Sequence, residues 1–148
     1  MLKTIAVVLL FMSGVAEAST DSTGIYRDKN FNILMKDGSY SCKVFPYNKR
    51  IKDDFYSQPS IGEGTIAIKS DKHSDSKRMF INFDNGTKVV TPFLVNHTKG
   101  STETVYTTMT RDDLYILGIT EPMGMVAIIK KDTKGNETSV AMAECILQ

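Results

Sequence analysis

Tryptophan is absent from this sequence, histidine and cysteine occur twice each, and proline only four times. Each scarcity closes a class of chemistry. With His73 and His97 alone, a nucleophile, base and orienting acid are hard to assemble, and a metal site has few nitrogen ligands to draw on. Two cysteines cannot build a zinc site without histidine or carboxylate partners. Beyond the first residues no segment approaches the roughly 20 apolar residues that a membrane-crossing helix needs. An outer-membrane barrel of eight strands would have a similar length. The missing tryptophan, the absence of aromatic girdles, the short strands and the cysteine pair all count against it. The net charge is +1, with the basic residues scattered, so no nucleic-acid footprint is present. G-x-S-x-G, H-E-x-x-H and calcium-loop patterns do not occur.

What is present begins with an export signal. Lys3 gives a positive start, Ile5 to Met12 is an apolar run, and Ala16-Glu17-Ala18 puts small residues where a signal peptidase reads. Residues 1–18 are therefore expected to be removed, with cleavage after Ala18. Ser19 in place of a cysteine argues against a lipid anchor. Residues 19–148 are then expected to be a single β domain, secreted or periplasmic. In such a compartment Cys42 and Cys145 are expected to form one disulfide.

The remainder is dominated by period-two alternation, the mark of half-buried strands. Phe31, Ile33 and Met35 share one face. Tyr40, Cys42 and Val44 share another, and Asp37-Gly38 between the two runs predicts a hairpin. Arg78 to Phe83 and Thr87 to Asn96 predict a second hairpin about Asp84-Asn85-Gly86. Val89, Phe93 and Val95 would then face inward, with Pro92 marking an edge or bulge. Ser70 to Lys77 is wholly polar and reads as an exposed connection. Turns at Lys99-Gly100, Arg111-Asp112-Asp113, Glu121-Pro122-Met123-Gly124 and Lys134-Gly135-Asn136 separate the later runs. In the last run, Glu137 to Leu147, strand alternation competes with good helix formers. The expected fold is an all-β antiparallel meander of about eight to ten short strands forming a small barrel, with a two-sheet sandwich as the alternative.

Function is far less legible. The longest irregular stretch, Asn48 to Gly64, carries Ile51, Phe55, Tyr56 and Ile61. These four are the candidate binding residues, and the competing reading is that they plug one end of the sheet assembly. Methionine is frequent, and Met35, Met79, Met109, Met125 and Met142 fall on strand faces, where they would either line an adaptable cavity or fill the core. Asp53-Asp54 and Asp112-Asp113 are adjacent pairs, so on a strand their side chains diverge. Asn85, Asn96 and Asn136 lie in glycosylation sequons, but Asn85 and Asn136 equally suit turns.

In layout, an exported β barrel with a disulfide reaching its last strand, the chain is similar to the small periplasmic lysozyme inhibitors. Their inhibitory loop has no counterpart here, so the likeness carries over no residue. The leading expectation is a non-enzymatic binding protein, of the enzyme-inhibitor or immunity type, with a protein partner and no cofactor or metal. A small carrier of an apolar ligand and a hydrolase using His73 or His97 are the alternatives.

Overall fold

Strands at the alternating runs make up nearly all of the regular structure. The computed structural model describes residues 22–48, 52–121, 123–133 and 135–148. The expected signal peptide, Ile51, Pro122 and Lys134 lie outside the described residues. The strands are β1 (Ile25–Arg27), β2 (Ile33–Met35), β3 (Gly38–Pro46), β4 (Gly62–Ser70), β5 (Ser76–Phe83) and β6 (Lys88–Val90). They continue as β7 (Leu94–Lys99), β8 (Glu103–Met109), β9 (Asp113–Thr120), β10 (Gly124–Thr133) and β11 (Asn136–Leu147).

From β3 onward each strand pairs antiparallel with its successor, except that β7 pairs with β5 in place of β6, and β11 returns to pair with β3. The ladder closes on itself, which settles barrel over sandwich. β6 and β7 together occupy one place in the ring, both bonding to the same edge of β5. Closure leaves most of the strands without a raw edge.

The interior is filled from alternate positions: Ile66 and Ile68 of β4, Met79 and Ile81 of β5, Tyr106 of β8, and Leu117 and Ile119 of β9 are among the fully buried side chains. Burying each aliphatic side chain contributes about 2 kcal/mol by area transfer. Met35, Met79, Met125 and Met142 all belong to this core. Met109 does not: it points outward from β8 and is 75% exposed.

The expected Asp37-Gly38 hairpin does not form. β2 pairs instead with β1, with Ile25 opposite Met35. Two local competitors explain it. The Asp28 carboxylate accepts the N–H groups of Asn30 (2.9 Å) and Asn32 (3.0 Å), closing a turn that folds β2 back onto β1. Meanwhile the Asp37 carboxylate is taken by the N–H (2.8 Å) and hydroxyl (2.7 Å) of Ser70, which draws the connection towards the β4–β5 turn. The β1–β2 ribbon closes one end of the barrel: Ile33 and Met35 enter the core, and the Ile33 N–H donates to the Gly100 carbonyl at 2.9 Å. Phe31, expected inward with them, sits in the turn at φ 63° and is exposed. Gly24 is required here, because it adopts φ +72° and a Cβ would collide with the Tyr40 hydroxyl.

The β5–β6 hairpin forms as expected, with Gly86 at φ +89°. The inward set beyond it differs. Met79 faces Thr91, whose N–H donates to the Met79 carbonyl and whose hydroxyl accepts the Met79 N–H, both at 3.0 Å. Lys77 faces Leu94, so Pro92 and Phe93 span a gap that one residue would fill. This extra residue is a bulge, and it reverses the parity: Val89, Thr91 and Leu94 are buried, while Phe93 and Val95 point out.

The disulfide joins Cys42 of β3 to Cys145 of β11, 103 positions apart in sequence with Cα atoms 4.1 Å apart. The register of this pair shifts between Ala143 and Ile146, a second bulge, with Glu144 at φ 51° and its carboxylate 2.9 Å from Lys43. A disulfide, together with no helix among the described residues long and apolar enough to cross a membrane, is compatible with an extracellular or periplasmic protein.

Candidate functional site

The end opposite the β1–β2 ribbon is formed by the β3–β4, β5–β6, β8–β9 and β10–β11 connections. The inward positions change character as the strands approach it. On β10 they run Met125, Ala127, Ile129, Lys131, and on β11 Met142, Val140, Thr138. The result is a depression of ≈ 380 Å³ with Val44, Val89 and Ile129 as its buried floor and Phe83 and Val140 on its walls. Its rim is Ile61, Asp84, Asn85 and Lys131.

Hydrogen bonds hold the rim in place. The Ile61 N–H donates to the Val44 carbonyl at 2.8 Å, fixing the backbone while the side chain stays 62% exposed. Asp84 accepts the Glu63 N–H at 3.0 Å, and the Asn85 side-chain oxygen accepts the Thr87 N–H at 2.9 Å. Lys131 has no ion-pair partner among the described residues, whereas its neighbour Lys130 pairs with Glu137 at 3.4 Å. The arrangement offers an apolar seat, one cation and a fixed polar lip. Neither family models, curated proteins nor solved structures match this chain.

The described part of the long β3–β4 connection, from residue 52 on, does not project as a loop. Its 3-10 segment, Lys52–Ser57, lies against the outside of the barrel, where Phe55 packs on Phe45 (ring centroids 5.8 Å), with Tyr56 alongside (5.7 Å from Phe45). Ala141 and Ala143 of β11 form the floor of this patch, small enough for the rings to approach the wall. Phe55 is 3% exposed. Tyr56 is half-buried; burial, and secondarily the Glu144 charge, push its hydroxyl pKa up. The structure therefore brings Phe55 and Tyr56 together on the flank and sets Ile61 apart at the mouth. Replacing Phe55 with alanine is expected to cost about 3 kcal/mol of stability, read as a lower urea midpoint. A shift under about 0.5 kcal/mol would show that the ring contributes nothing to the wall.

At the ribbon-closed end, the segment read as an exposed connection hides a lysine. Lys77 is only 7% exposed. It occupies an inward position of β5, donates to the Ser70 hydroxyl at 2.8 Å, lies 3.3 Å from Asp37 and sits 5.5 Å over the Tyr106 ring. The Tyr106 hydroxyl donates to Asp75 at 2.9 Å, and Asp75 also pairs with Lys99. Desolvation opposes ionisation of Asp37, but the Ser70 hydrogen bonds and the Lys77 charge outweigh it and lower its pKa. At Asp75 desolvation is likewise outweighed, here by hydrogen bonds from Lys99 and Tyr106 and by the charges of Lys99 and Lys77. Every member of this cluster is engaged with another, so it reads as a latch that ties the β2–β3 connection to the barrel. His73 and His97 are exposed, and no group of three or more His, Cys, Asp or Glu among the described residues is disposed to hold a metal.

Sequence reasoning missed the mouth. Val44, Val89, Ile129 and Val140 are indistinguishable from core positions until the strand ends are known. The available signal was the arrival of Lys131 and Thr138 at positions that alternation assigns to the interior.

Proposed function

We propose that this protein is a non-enzymatic binding protein, exported to the secreted or periplasmic space, that docks a protein partner at the open end of its barrel. The observation that carries the reading is the apolar depression at that end, bordered by hydrogen-bonded turns. A volume of ≈ 380 Å³ lies near the small end of ligand sites and suits one or two inserted apolar side chains. A fixed polar rim around a small apolar floor is the usual anatomy of a protein-docking hot spot. The N-terminal apolar run and the disulfide support export. The carrier alternative draws less support, because Tyr106, Tyr115, Leu117 and four methionines fill the interior that a larger ligand would need.

Ile61 offers a clean test, being exposed and held by its backbone. The protein, immobilised, is used to capture partners from the extracytoplasmic fraction alongside its Ile61→Lys variant. Retention of a specific partner is expected to fall at least tenfold in the variant, with stability unchanged to within about 0.5 kcal/mol. Equal retention would remove the mouth as the docking surface.

A further inference from the structure

β6 stands outside the closed ring, which runs through β5 and β7. It bonds to β5 alone, with Phe80, Ile81 and Asn82 facing Val90, Val89 and Lys88. Hydrogen bonds on either side fix the phase: the Phe83 N–H donates to the Thr87 carbonyl, and the Thr91 N–H to the Met79 carbonyl. In an antiparallel ladder bonded pairs alternate with unbonded ones, so Val89 bonds to β5 while the N–H and C=O groups of Lys88 and Val90 point away from it. No described residue takes them. β8, which flanks β7, turns back after Met109; with Ser76 opposite Val95 and Val95 opposite Thr107, the level of Phe80 and Val90 corresponds to residue 111, already inside the turn. The edge is therefore left open.

This edge adjoins the mouth. Val89, the middle residue of β6, is part of the floor of the depression. On the outer side Val90 and Phe93 are 59% and 40% exposed, and Met109 ends the neighbouring strand. Lys88, on the outward side with Val90, and Lys131, on the rim of the depression, have no ion-pair partners among the described residues, whereas the Asp84 carboxylate is engaged by the Glu63 N–H.

We propose that the partner binds by strand addition: an extended polypeptide segment lies along β6, exchanging main-chain hydrogen bonds with Lys88 and Val90. It places alternate apolar side chains in the depression and an acidic residue on the outer face beside Lys88. The inference rests on the docking reading above and deepens it. Outward-facing amide and carbonyl groups call for a polypeptide backbone, which a lipid or small hydrocarbon cannot supply. The side-chain period of two follows, since neighbouring residues of an added strand face opposite sides.

The test uses the purified, disulfide-intact protein to select binders from a displayed library of random dodecapeptides. The recovered peptides are then synthesised with a fluorescent label and titrated. The expected peptides alternate apolar residues and carry an acid. N-methylation of alternate peptide residues is expected to abolish binding in one phase and spare it in the other. Val90→Pro removes an outward N–H without touching the β5 ladder, and is expected to weaken binding at least tenfold. As a readout that needs no variant, amide exchange at Lys88 and Val90 should slow when peptide is added.

If Val90→Pro and both N-methylation phases leave affinity unchanged while Ile61→Lys weakens it, strand addition is wrong and docking at the mouth survives. Failure to recover any peptide above background overturns both. Concentration-dependent self-association lost in Val90→Pro would make the occupant a second copy, and would overturn the assignment of a separate partner.

Discussion

Reducing the Cys42–Cys145 bond, or replacing both cysteines with alanine, is expected to lower unfolding stability by about 4 kcal/mol. The cross-link closes a loop of 103 residues, and in the chain-entropy picture a loop of that size restricts the unfolded ensemble by roughly 4 to 5 kcal/mol. Native geometry gives little back, because both sulfurs lie in the barrel interior and β3 and β11 stay hydrogen-bonded without them. Denaturant titrations in the presence and absence of reductant should show a lower midpoint. The denaturant slope should steepen as the unfolded chain expands. A change under about 1 kcal/mol would mean that the ladder alone sets the stability, and the bond would then be a marker of compartment with no weight in the fold.

Raising the pH past 10 is expected to destabilise the protein by a similar amount. Three tyrosines point inward. Burial, with lesser contributions from neighbouring acidic groups, pushes Tyr40 and Tyr115 up to about 12. Tyr106 is driven higher still, by burial first and then by its hydrogen bond to Asp75. Between pH 10 and 12 the unfolded chain sheds phenolic protons that the fold retains, so stability is complete below pH 10 and falls as pH rises through that window. With solvent screening at these partly accessible hydroxyls, the combined loss is on the order of a few kcal/mol. Phenolate absorbance followed beside far-ultraviolet dichroism should show part of the tyrosine signal appearing only with unfolding. Titration of all six tyrosines in one step below the unfolding transition would contradict the placement. At the other extreme, Asp37 and Asp75 are held below the usual carboxylate range. Their contribution is present above about pH 4 and is lost as pH falls.

The barrel was legible because period-two patterning is a statement about faces, and most of the runs from Ser39 to Leu147 carry it. Closure was legible from the two cysteines at the extremes of that span. The exceptions share one cause: local hydrogen bonds that override a pattern. At Asp37-Gly38 the hairpin signal was real, but Ser70 and Asp28 offered better bonds from 33 residues away and from the preceding turn. At Pro92 the sequence warned of a bulge without saying which side of it would flip, so Leu94 and Val95 exchanged roles. Lys77 looked like surface because it is charged; only the convergence of Ser70, Asp37 and Tyr106 allows an amine to be buried there. For the site, the apolar residues of the long connection split between flank and mouth, since an aromatic pair finds more contact on a wall of alanines than at an open rim.

The two staves that complete the ring come from opposite ends of the strand sequence, and this constrains the order of events during biogenesis. While the polypeptide is still emerging, β3 has only β4 beside it, and its other edge waits for a strand made about a hundred residues later. Until then the molecule is a curled, open ribbon with two sticky borders, the form most prone to pairing with a stranger. Pairing of β3 with β11 brings the two thiols together, so the ladder itself sets up the geometry that the covalent bond then locks.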